Sequence, residues 1–483
     1  MENPPDLPAA SAPSSSPTPL PTNGLTGAIR TFLKPFALSL KLGSILVLVL
    51  LLQIPLFMIR GLLDERCSRR EAAVREITET WGRTQNIVGP ILVVPYRTLR
   101  VLEKETAVNG HSVRTTEERM GTAYACFLPE ELTVEGNIDP SKRHRGIYEA
   151  VVYTSHLKLS GRFAAPDLKP LGIAPDALQW NRAWISFGIS DLRGTRETLK
   201  LAWDGQTLPL TPGTQIEGLR AGLHADLSAT ANIVAPNGPH TFSMELSLNG
   251  SGTLAFAPLA VQTSVRLKSP WADPSFTGAF LPTEREITPA GFNALWKVPY
   301  YGREYSQQWT CLANQAALDT DKIDPSCFGV DLVTPVDSYR SVERATKHGA
   351  LFITLLFTAF FLFEVLASLR LHALHYLLVG AALCLFYLGL LSLSEFSAFG
   401  TAYLIAAASS TLLIGLYCRS ILRSGTRSFL ITAALSAIYG FLYFVLQMQD
   451  YSLLAGTAAL FTVLAVVMYT TRKVDWSNQS RTT

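Results

Sequence analysis

The sequence is poor in charge, in cysteine and in catalytic signatures. Charged residues make up 16% of its 483 positions, and the formal net charge is only +3. No stripe of arginine and lysine interleaved with aromatic residues occurs, which excludes nucleic acid as an expected partner. The six cysteines do not by themselves indicate a redox compartment.

Motifs of hydrolases, metalloproteases and nucleotide-binding enzymes are missing. G-x-S-x-G, H-E-x-x-H, the Walker A loop and a G-x-G-x-x-G between a strand and a helix do not occur. Ser155 and Lys158 match S-x-x-K, but the apolar residues around them alternate with a period of two. A strand would place these two side chains on opposite faces. We therefore expect no enzyme activity and no cofactor, and hydrolysis that depends on Ser155 is a disfavoured alternative.

Apolar residues are in excess, and they are concentrated in two regions. Leu42–Ile59 carries no charge, and the charges between residues 349 and 471 are few and confined to short gaps. A charge-free run of about 18 residues is long enough to cross a hydrocarbon core of roughly 30 Å as a helix. We predict six transmembrane helices, one followed by five: Leu42–Ile59, Gly349–Leu369, Ala373–Leu393, Phe396–Tyr417, Ser428–Met448 and Tyr451–Thr470.

Positive charges in the short gaps predict the orientation. They lie between the second and third spans, between the fourth and fifth, and after the sixth: Arg370, Arg419, Arg423, Arg427, Arg472 and Lys473. Because short cytoplasmic loops carry an excess of Lys and Arg, both termini are expected in the cytoplasm of a bacterial inner-membrane protein. The arginines that follow the first span disagree with this orientation: Arg60, Arg66, Arg69 and Arg70. Long domains are translocated with less regard to charge.

The region between the first and second spans has a strand-like pattern. Phe242, Met244, Leu246 and Leu248 alternate with more polar residues, and Asn249-Gly250 is a turn signal. The predicted fold class is an α+β membrane protein, in which six transmembrane helices carry a large, strand-rich, mainly antiparallel periplasmic domain. We divide the chain into a disordered cytoplasmic tail (1–24), an interfacial segment with the first transmembrane helix (25–60), a periplasmic stalk and β-rich domain (61–347), a five-helix bundle (348–471) and a cytoplasmic tail (472–483).

Four membrane-associated polar residues are candidates for function: Glu364, Arg370, His375 and Glu395. An ionisable group inside an apolar helix is costly and often functional. Glu364 has two explanations, a structural pairing with a neighbouring cation and a proton or substrate relay. His372 and His375 could bind a metal, but no cysteine or carboxylate ligand stands near them. We therefore expect interfacial anchoring and no metal.

Two cysteines of the central domain, Cys311 and Cys327, could close a short loop as a disulfide if the domain is periplasmic. The alternative is that both remain unpaired thiols. Cys67 and Cys126 lie in the same domain, whereas Cys384 and Cys418 fall in or beside predicted spans. Inside a membrane helix, cysteine is most simply a small apolar residue.

Several segments resemble the CreD family of bacterial inner-membrane proteins. The longest match crosses the boundary between the domain and the bundle, and shorter ones occur along most of the chain: Val333–Tyr339, Glu343–Lys347, Phe360–Glu364, Leu369–His372, Tyr376–Gly380, Leu393–Glu395, Val88–Ile91, Phe127–Glu130, Gly146–Tyr148, Pro274–Phe276, Phe280–Pro282 and Arg472–Trp476. The resemblance implies an association with the Cre two-component regulon, colicin tolerance and cell-envelope integrity. The family has no agreed catalytic activity, so the resemblance does not predict an enzyme. It adds weight to Glu364 and Glu395 as candidate residues, because both lie inside matching segments.

Two function classes follow from these observations. The first is a non-enzymatic inner-membrane protein of envelope integrity or stress response, whose periplasmic domain binds an unknown protein partner or envelope component. The second is a transporter or ion-conducting protein that uses the five-helix bundle, with Glu364, His375 and the serines of the fourth span as pathway residues. In both, the lipid bilayer is a partner of the chain.

Overall fold

The computed structural model describes residues 37–108, 111–195, 197–219, 221–228, 239–312, 315–332, 338–366, 371–422, 424–448 and 452–472. The predicted tail 1–24, the interfacial segment before residue 37, Arg370 and most of the C-terminal tail lie outside these residues. The described chain falls into two compact units. The helical unit is Met1–Asp64 with Ser338–Thr483, and the strand unit is Glu65–Asp337.

Eight α-helices occur in the described residues. They are α1 (Ala37–Trp81), α2 (Thr320–Ile323), α3 (Ser338–Lys347), α4 (Gly349–Leu366), α5 (Ala373–Ser394), α6 (Phe399–Leu422), α7 (Gly425–Gln447) and α8 (Ser452–Thr471). The long α1 begins in the helical unit and ends in the strand unit, so the first span continues into the predicted stalk as one helix.

Not every predicted span meets the length and hydropathy expected of a membrane helix. Within the described residues, α1, α5, α6 and α7 do so alone, and α4 does so only together with α3, from which it is bent by 48°. The apolar part of α8, Leu454–Thr470, is shorter. The chain therefore has four or five such helices in its described part, and the count of six remains a prediction.

Two of the arginines that disagreed with the predicted orientation have local partners. The Arg60 guanidinium donates a hydrogen bond to the Thr346 carbonyl at the end of α3 (2.9 Å). Arg69 pairs with Glu65 one turn earlier on α1 (2.6 Å). These contacts give both arginines a structural role, so they carry less weight as topology signals.

The strand unit contains nineteen strands in its described residues. They are β1 (Gln85–Val108), β2 (His111–Phe127), β3 (Glu131–Arg145), β4 (Tyr148–Phe163), β5 (Trp184–Ile189), β6 (Lys200–Trp203), β7 (Gln206–Pro209), β8 (Thr211–Pro212), β9 (Ile216–Glu217), β10 (Gly222–Asp226), β11 (His240–Ser251), β12 (Thr253–Phe256), β13 (Gln262–Ser269), β14 (Pro274–Gly278), β15 (Glu284–Thr288), β16 (Gly291–Pro299), β17 (Gln308–Cys311), β18 (Ala316–Ala317) and β19 (Phe328–Leu332).

These strands form two large sheets and one small one. The first sheet has the order β14-β19-β12-β1-β5-β10-β8, and β2 and β17 branch from β1. The second has the order β15-β16-β13-β3-β4-β11-β6-β7, and β9 pairs with β18. Both large sheets are mixed, because β1–β12 and β3–β13 are parallel pairs among mostly antiparallel ones. The predicted α+β class is confirmed, and the sheets are more mixed than expected.

Buried and exposed residues alternate along the strands, and the buried ones form two hydrophobic cores. The predicted alternating run on β11 is buried at Phe242, Met244, Leu246 and Leu248, and these residues join the main core, to which both large sheets contribute. On β1, Leu92 and Val94 face this core, whereas Val93 belongs to a smaller core on the other face of the first sheet. That sheet is therefore buried on both faces, and the smaller core also contains Cys126.

Candidate functional site

The Glu364 carboxylate is buried in the helical unit, with 3% of the residue exposed. It lies in the last turn of α4, an apolar helix. Its Oε1 forms an ion pair with Lys41 Nζ and accepts the Leu371 N–H (2.7 Å). Its Oε2 accepts the Tyr376 hydroxyl (2.8 Å). Three donors from separate segments thus converge on one carboxylate.

The three donors to Glu364 explain how a carboxylate can be buried at this position. A charge buried without partners costs several kcal/mol, whereas a paired and hydrogen-bonded one is tolerated. Lys41 comes from α1 and Tyr376 from α5, so the carboxylate connects three helices. The sequence predicted a neighbouring cation without identifying it, and Arg370, six positions away, lies outside the described residues. The cation that the structure supplies is Lys41.

His375 and His372 contact different partners at the start of α5. His375 Nδ1 lies 2.9 Å from the Tyr417 hydroxyl of α6. The His372 side chain caps α5 by accepting the Leu374 N–H (3.4 Å). In the part of the chain that the structure describes, no three His, Cys, Asp or Glu side chains are grouped so that they could share a metal ion. The contacts with the Tyr417 hydroxyl and the Leu374 N–H give each histidine a local structural partner.

Glu395 lies at the opposite end of α5 from the Glu364 contact. It follows Ser394 as the C-terminal cap, and its Oε1 is 3.5 Å from the Tyr339 hydroxyl of α3. Tyr376 and Glu395 are nineteen positions apart, which corresponds to roughly 28 Å of helix. The structure does not bring the two candidate carboxylates together.

A hydroxyl network that the sequence did not reveal links α5, α6 and α7. The Tyr403 hydroxyl donates to the Tyr439 carbonyl (2.7 Å), and the Tyr439 hydroxyl donates to Ser410 Oγ (2.9 Å). Ser410 in turn donates to the Ala382 carbonyl (3.3 Å). These polar groups are buried and paired, so the network is well suited to fixing the packing of the three helices.

The strand unit presents a charged face on its second sheet. The strand registers place Arg266, Glu135, Lys158 and Glu245 in one row across β13, β3, β4 and β11. Their signs alternate along the row. Opposite charges on directly neighbouring strands stabilise each other by roughly 0.2–1 kcal/mol. We call these four residues the charged row.

Two adjoining depressions lie on this face. One has a volume of about 430 Å³ and includes the charged row, and the other has a volume of about 660 Å³. Both are lined by Asn137, His156 and Lys268, which form part of the next row. His156 Nδ1 lies 3.0 Å from Ser247 Oγ on β11. The surface offers donors and acceptors in fixed register to a polar partner.

The cysteines of the predicted disulfide have separate surroundings. Cys311 Sγ accepts the Ala317 N–H (3.3 Å), and Cys327 Sγ accepts a hydrogen bond from Asn86 Nδ2 (3.4 Å). Both are free thiols in the structure. The pairing of Cys311 with Cys327 therefore remains a prediction.

Sequence reasoning found Glu364, His375 and Glu395 but missed Lys41, Tyr376 and the charged row. Lys41 stands 323 residues from Glu364, and no local pattern connects them. The charged row depends on the pairing register of four strands, which the sequence does not specify. Tyr376 could have been suspected, because its hydroxyl needs a partner inside an apolar helix.

Comparison with known proteins gives consistent matches over most of the chain. The family model described as "Inner membrane protein CreD" matches residues 37–477. Inner membrane protein CreD of Escherichia coli (strain K12) is 34% identical over 441 residues, which is 90% of this chain and 93% of that protein. Among solved structures, native yeast LTA4 hydrolase is similar over 36% of this chain and 27% of its own, with 10% identity and a TM-score of 0.18. That score is too low to indicate a shared fold.

Proposed function

This chain belongs to the CreD family of inner membrane proteins, and from that premise we propose that it is a non-enzymatic protein of cell-envelope integrity or stress response. The chain is a multi-pass protein of the bacterial inner membrane. In the proposal, the strand unit lies on the periplasmic side and binds a protein partner or an envelope component. The helical unit anchors it in the bilayer.

The polar face of the second sheet carries this proposal. Its charged row is exposed, alternates in sign and lines one of the two adjoining depressions. Neighbouring strands hold the row in register through continuous ladders. The ladders fix the backbone positions of the four alternating charges, and such a pattern favours recognition of a partner with complementary charges.

The geometry of the S-x-x-K match argues against Ser155 as a catalytic nucleophile. Ser155 is fully buried, and its hydroxyl donates to the Leu248 carbonyl (3.0 Å). Lys158 is exposed and belongs to the charged row. A serine nucleophile must reach its substrate and a nearby base, and Ser155 has neither in this arrangement.

Charge reversal in the charged row tests the binding proposal. Full-length Lys158→Glu/Arg266→Glu protein in native membranes is compared with wild type after chemical cross-linking and affinity purification. Lys322→Glu is the matched control, because Lys322 is exposed on α2 and pairs only locally with Asp319 (3.1 Å). We expect the row variant to lose a cross-linked species that wild type and the control retain. An identical set of species in all three proteins would count against this face as the binding surface.

Transport through the helical unit is the second candidate function. It is favoured by buried polar groups in the bundle, namely Glu364 and the network of Tyr403, Ser410 and Tyr439. Three donors occupy the Glu364 carboxylate, which makes it a poor carrier for a mobile ion. Flux through proteoliposomes that falls in Glu364→Gln but not in the exposed control Glu343→Gln would favour transport. Flux that is unaffected by Glu364→Gln and Glu395→Gln would remove its support.

A further inference from the structure

Two cysteines of the strand unit lie on neighbouring strands. In the antiparallel β2–β17 pair, Cys126 is opposite Trp309, and Cys311 is opposite Tyr124. The two cysteines are therefore diagonal neighbours on the same face of the first sheet. That face carries the smaller core, in which Cys126 is fully buried and Cys311 is packed at the margin.

The surroundings of the two thiols differ. Cys311 is half-buried on β17, a four-residue strand that pairs only with β2 in the described residues. Its sulfur accepts the Ala317 N–H (3.3 Å), which stabilises a thiolate, and as a thiol it donates to the Ala317 carbonyl (3.4 Å). Cys126 has no exposed surface. Cys311 is thus the accessible member of the pair, and Cys126 lies behind it.

The pKa values of the accessible Cys311 and the buried Cys126 also differ. A hydrogen bond from the Cys126 thiol lowers the pKa of Cys311 to about 6, against the opposing effect of burial. The same hydrogen bond, together with burial, raises the pKa of Cys126. Burial raises the pKa of Cys327 to about 11. Near neutral pH, Cys311 is the thiolate among these three.

We propose that Cys311 and Cys126 form a redox-active pair, in which Cys311 reacts first with a small or protein disulfide and Cys126 resolves the product. This inference is independent of the binding role proposed for the second sheet. It also differs from the Cys311–Cys327 disulfide predicted from the sequence.

The proposed reaction consists of two exchange steps. The Cys311 thiolate attacks one sulfur of the external disulfide, forms a mixed disulfide and releases the other sulfur as a thiolate. Cys126 then loses its proton to solvent or to the released thiolate and attacks Cys311 Sγ. The Cys126–Cys311 bond forms, and the second external thiol leaves. The protein loses two hydrogens, and the external disulfide is reduced to two thiols.

Bond formation requires the edge strand to move. Diagonal neighbours in a sheet have Cα atoms roughly 7–8 Å apart, whereas a disulfide holds them at about 4.4–6.8 Å. β17 is short and has β2 as its single strand partner among the described residues, so a shift breaks the ladder to one neighbouring strand only. The shift would disturb the Ala317 contacts, including the hydrogen bond from Trp309 Nε1 to the Ala317 carbonyl (3.0 Å). Oxidation should therefore loosen the segment around β18.

The test uses full-length protein in native membranes, treated with oxidised glutathione near pH 7. Intact mass and peptide mapping follow the products in wild type and in Cys126→Ala, Cys311→Ala and Cys327→Ala. We expect wild type and Cys327→Ala to lose two hydrogens and to give a peptide cross-linked through Cys126 and Cys311. Cys126→Ala should stop at a glutathione adduct on Cys311, and Cys311→Ala should give neither product at Cys126.

Three results would overturn the proposal. They are a wild-type peptide cross-linked through Cys311 and Cys327, a stable glutathione adduct on wild-type Cys311 with no cross-link, and a Cys327 that reacts as fast as Cys311. All three are read in wild type, so a folding defect in Cys126→Ala does not affect them. Thiolate fractions and intrinsic nucleophilicity together predict that Cys311 reacts roughly 100-fold faster than Cys327.

Discussion

Lys41 and Glu364 form an ion pair between α1 and α4, although they are 323 residues apart in the chain. The Glu364 side chain is almost fully buried, and that of Lys41 is 30% exposed. The protein therefore encloses the carboxylate but leaves part of the Lys41 side chain uncovered. This asymmetry makes Glu364 the member of the pair that depends more on its partners.

Loss of the carboxylate should destabilise the helical unit. Glu364→Ala leaves Lys41, the Leu371 N–H and the Tyr376 hydroxyl without their acceptor. Breaking a buried pair costs roughly 3–5 kcal/mol, and we expect about 2–3 kcal/mol here because the Lys41 side chain is partly exposed. Thermal unfolding of the full chain in detergent measures the effect. Glu343→Ala is the control, because the pair of Glu343 with Lys347 is exposed. Equal melting temperatures for the two variants would show that the Glu364 contacts do not stabilise the helical unit.

Removal of a single donor to Glu364 should have a smaller effect. Tyr376→Phe keeps the ring that packs edge-on against Phe357 (5.5 Å between centroids) but deletes the hydroxyl. We expect a loss of roughly 1–2 kcal/mol, because a charged acceptor loses one of its hydrogen bonds. The exposed Tyr469→Phe serves as the control in the same melting assay. A Tyr376→Phe protein as stable as this control would show that the hydroxyl contributes nothing.

Replacement by alanine should change stability in opposite directions at two glycines, Gly61 inside α1 and Gly82 directly after its last residue. Gly82 has a φ of +132°, and a Cβ there would lie 2.6 Å from the Asn249 carbonyl oxygen. Gly61 is inside the helix, and a Cβ there would meet no atom within 4 Å. We expect Gly82→Ala to destabilise by more than about 1 kcal/mol and Gly61→Ala to stabilise by up to about 1 kcal/mol. Melting of the two variants side by side checks the prediction, and equal shifts would contradict it.

The labelling of Cys311 should depend on pH in a way that distinguishes it from Cys327. With a pKa of about 6, Cys311 is protonated and slow below pH 6, and its rate rises through pH 6 to a plateau above about pH 7. Cys327, with a pKa of about 11, should still be accelerating at pH 10. Iodoacetamide labelling followed by peptide mass analysis gives both profiles from one sample. Parallel profiles for the two thiols would contradict the assigned acidities.

The sequence predicted those parts of the structure that depend on local patterns. The apolar run from Leu42 and the helical spacing up to Trp81 predicted a span with a stalk, and α1 covers both. The alternating residues from Phe242 to Leu248 predicted a half-buried strand, and β11 buries them. In each case the periodicity of a single segment determines which face is buried.

Pairings between distant segments could not be predicted. The contact of Lys41 with Glu364 and the neighbouring positions of Cys126 and Cys311 depend on which helices and strands come together. Sequence proximity favoured Cys327, sixteen positions away, as the partner of Cys311, whereas the strand register places Cys311 beside Cys126. The number of membrane spans also depends on more than one segment, because α4 meets the length and hydropathy of a span only together with α3, from which it is bent by 48° in the described residues.

The location of the strand unit outside the cytoplasm is the central claim, and cysteine accessibility in intact cells tests it most directly. Lys169→Cys introduces an exposed thiol in the strand unit, and Arg427→Cys introduces one at the start of α7. A membrane-impermeant maleimide, followed by peptide mass analysis, should label Lys169→Cys in intact cells and Arg427→Cys only after permeabilisation. Labelling of Arg427→Cys alone in intact cells would contradict the account.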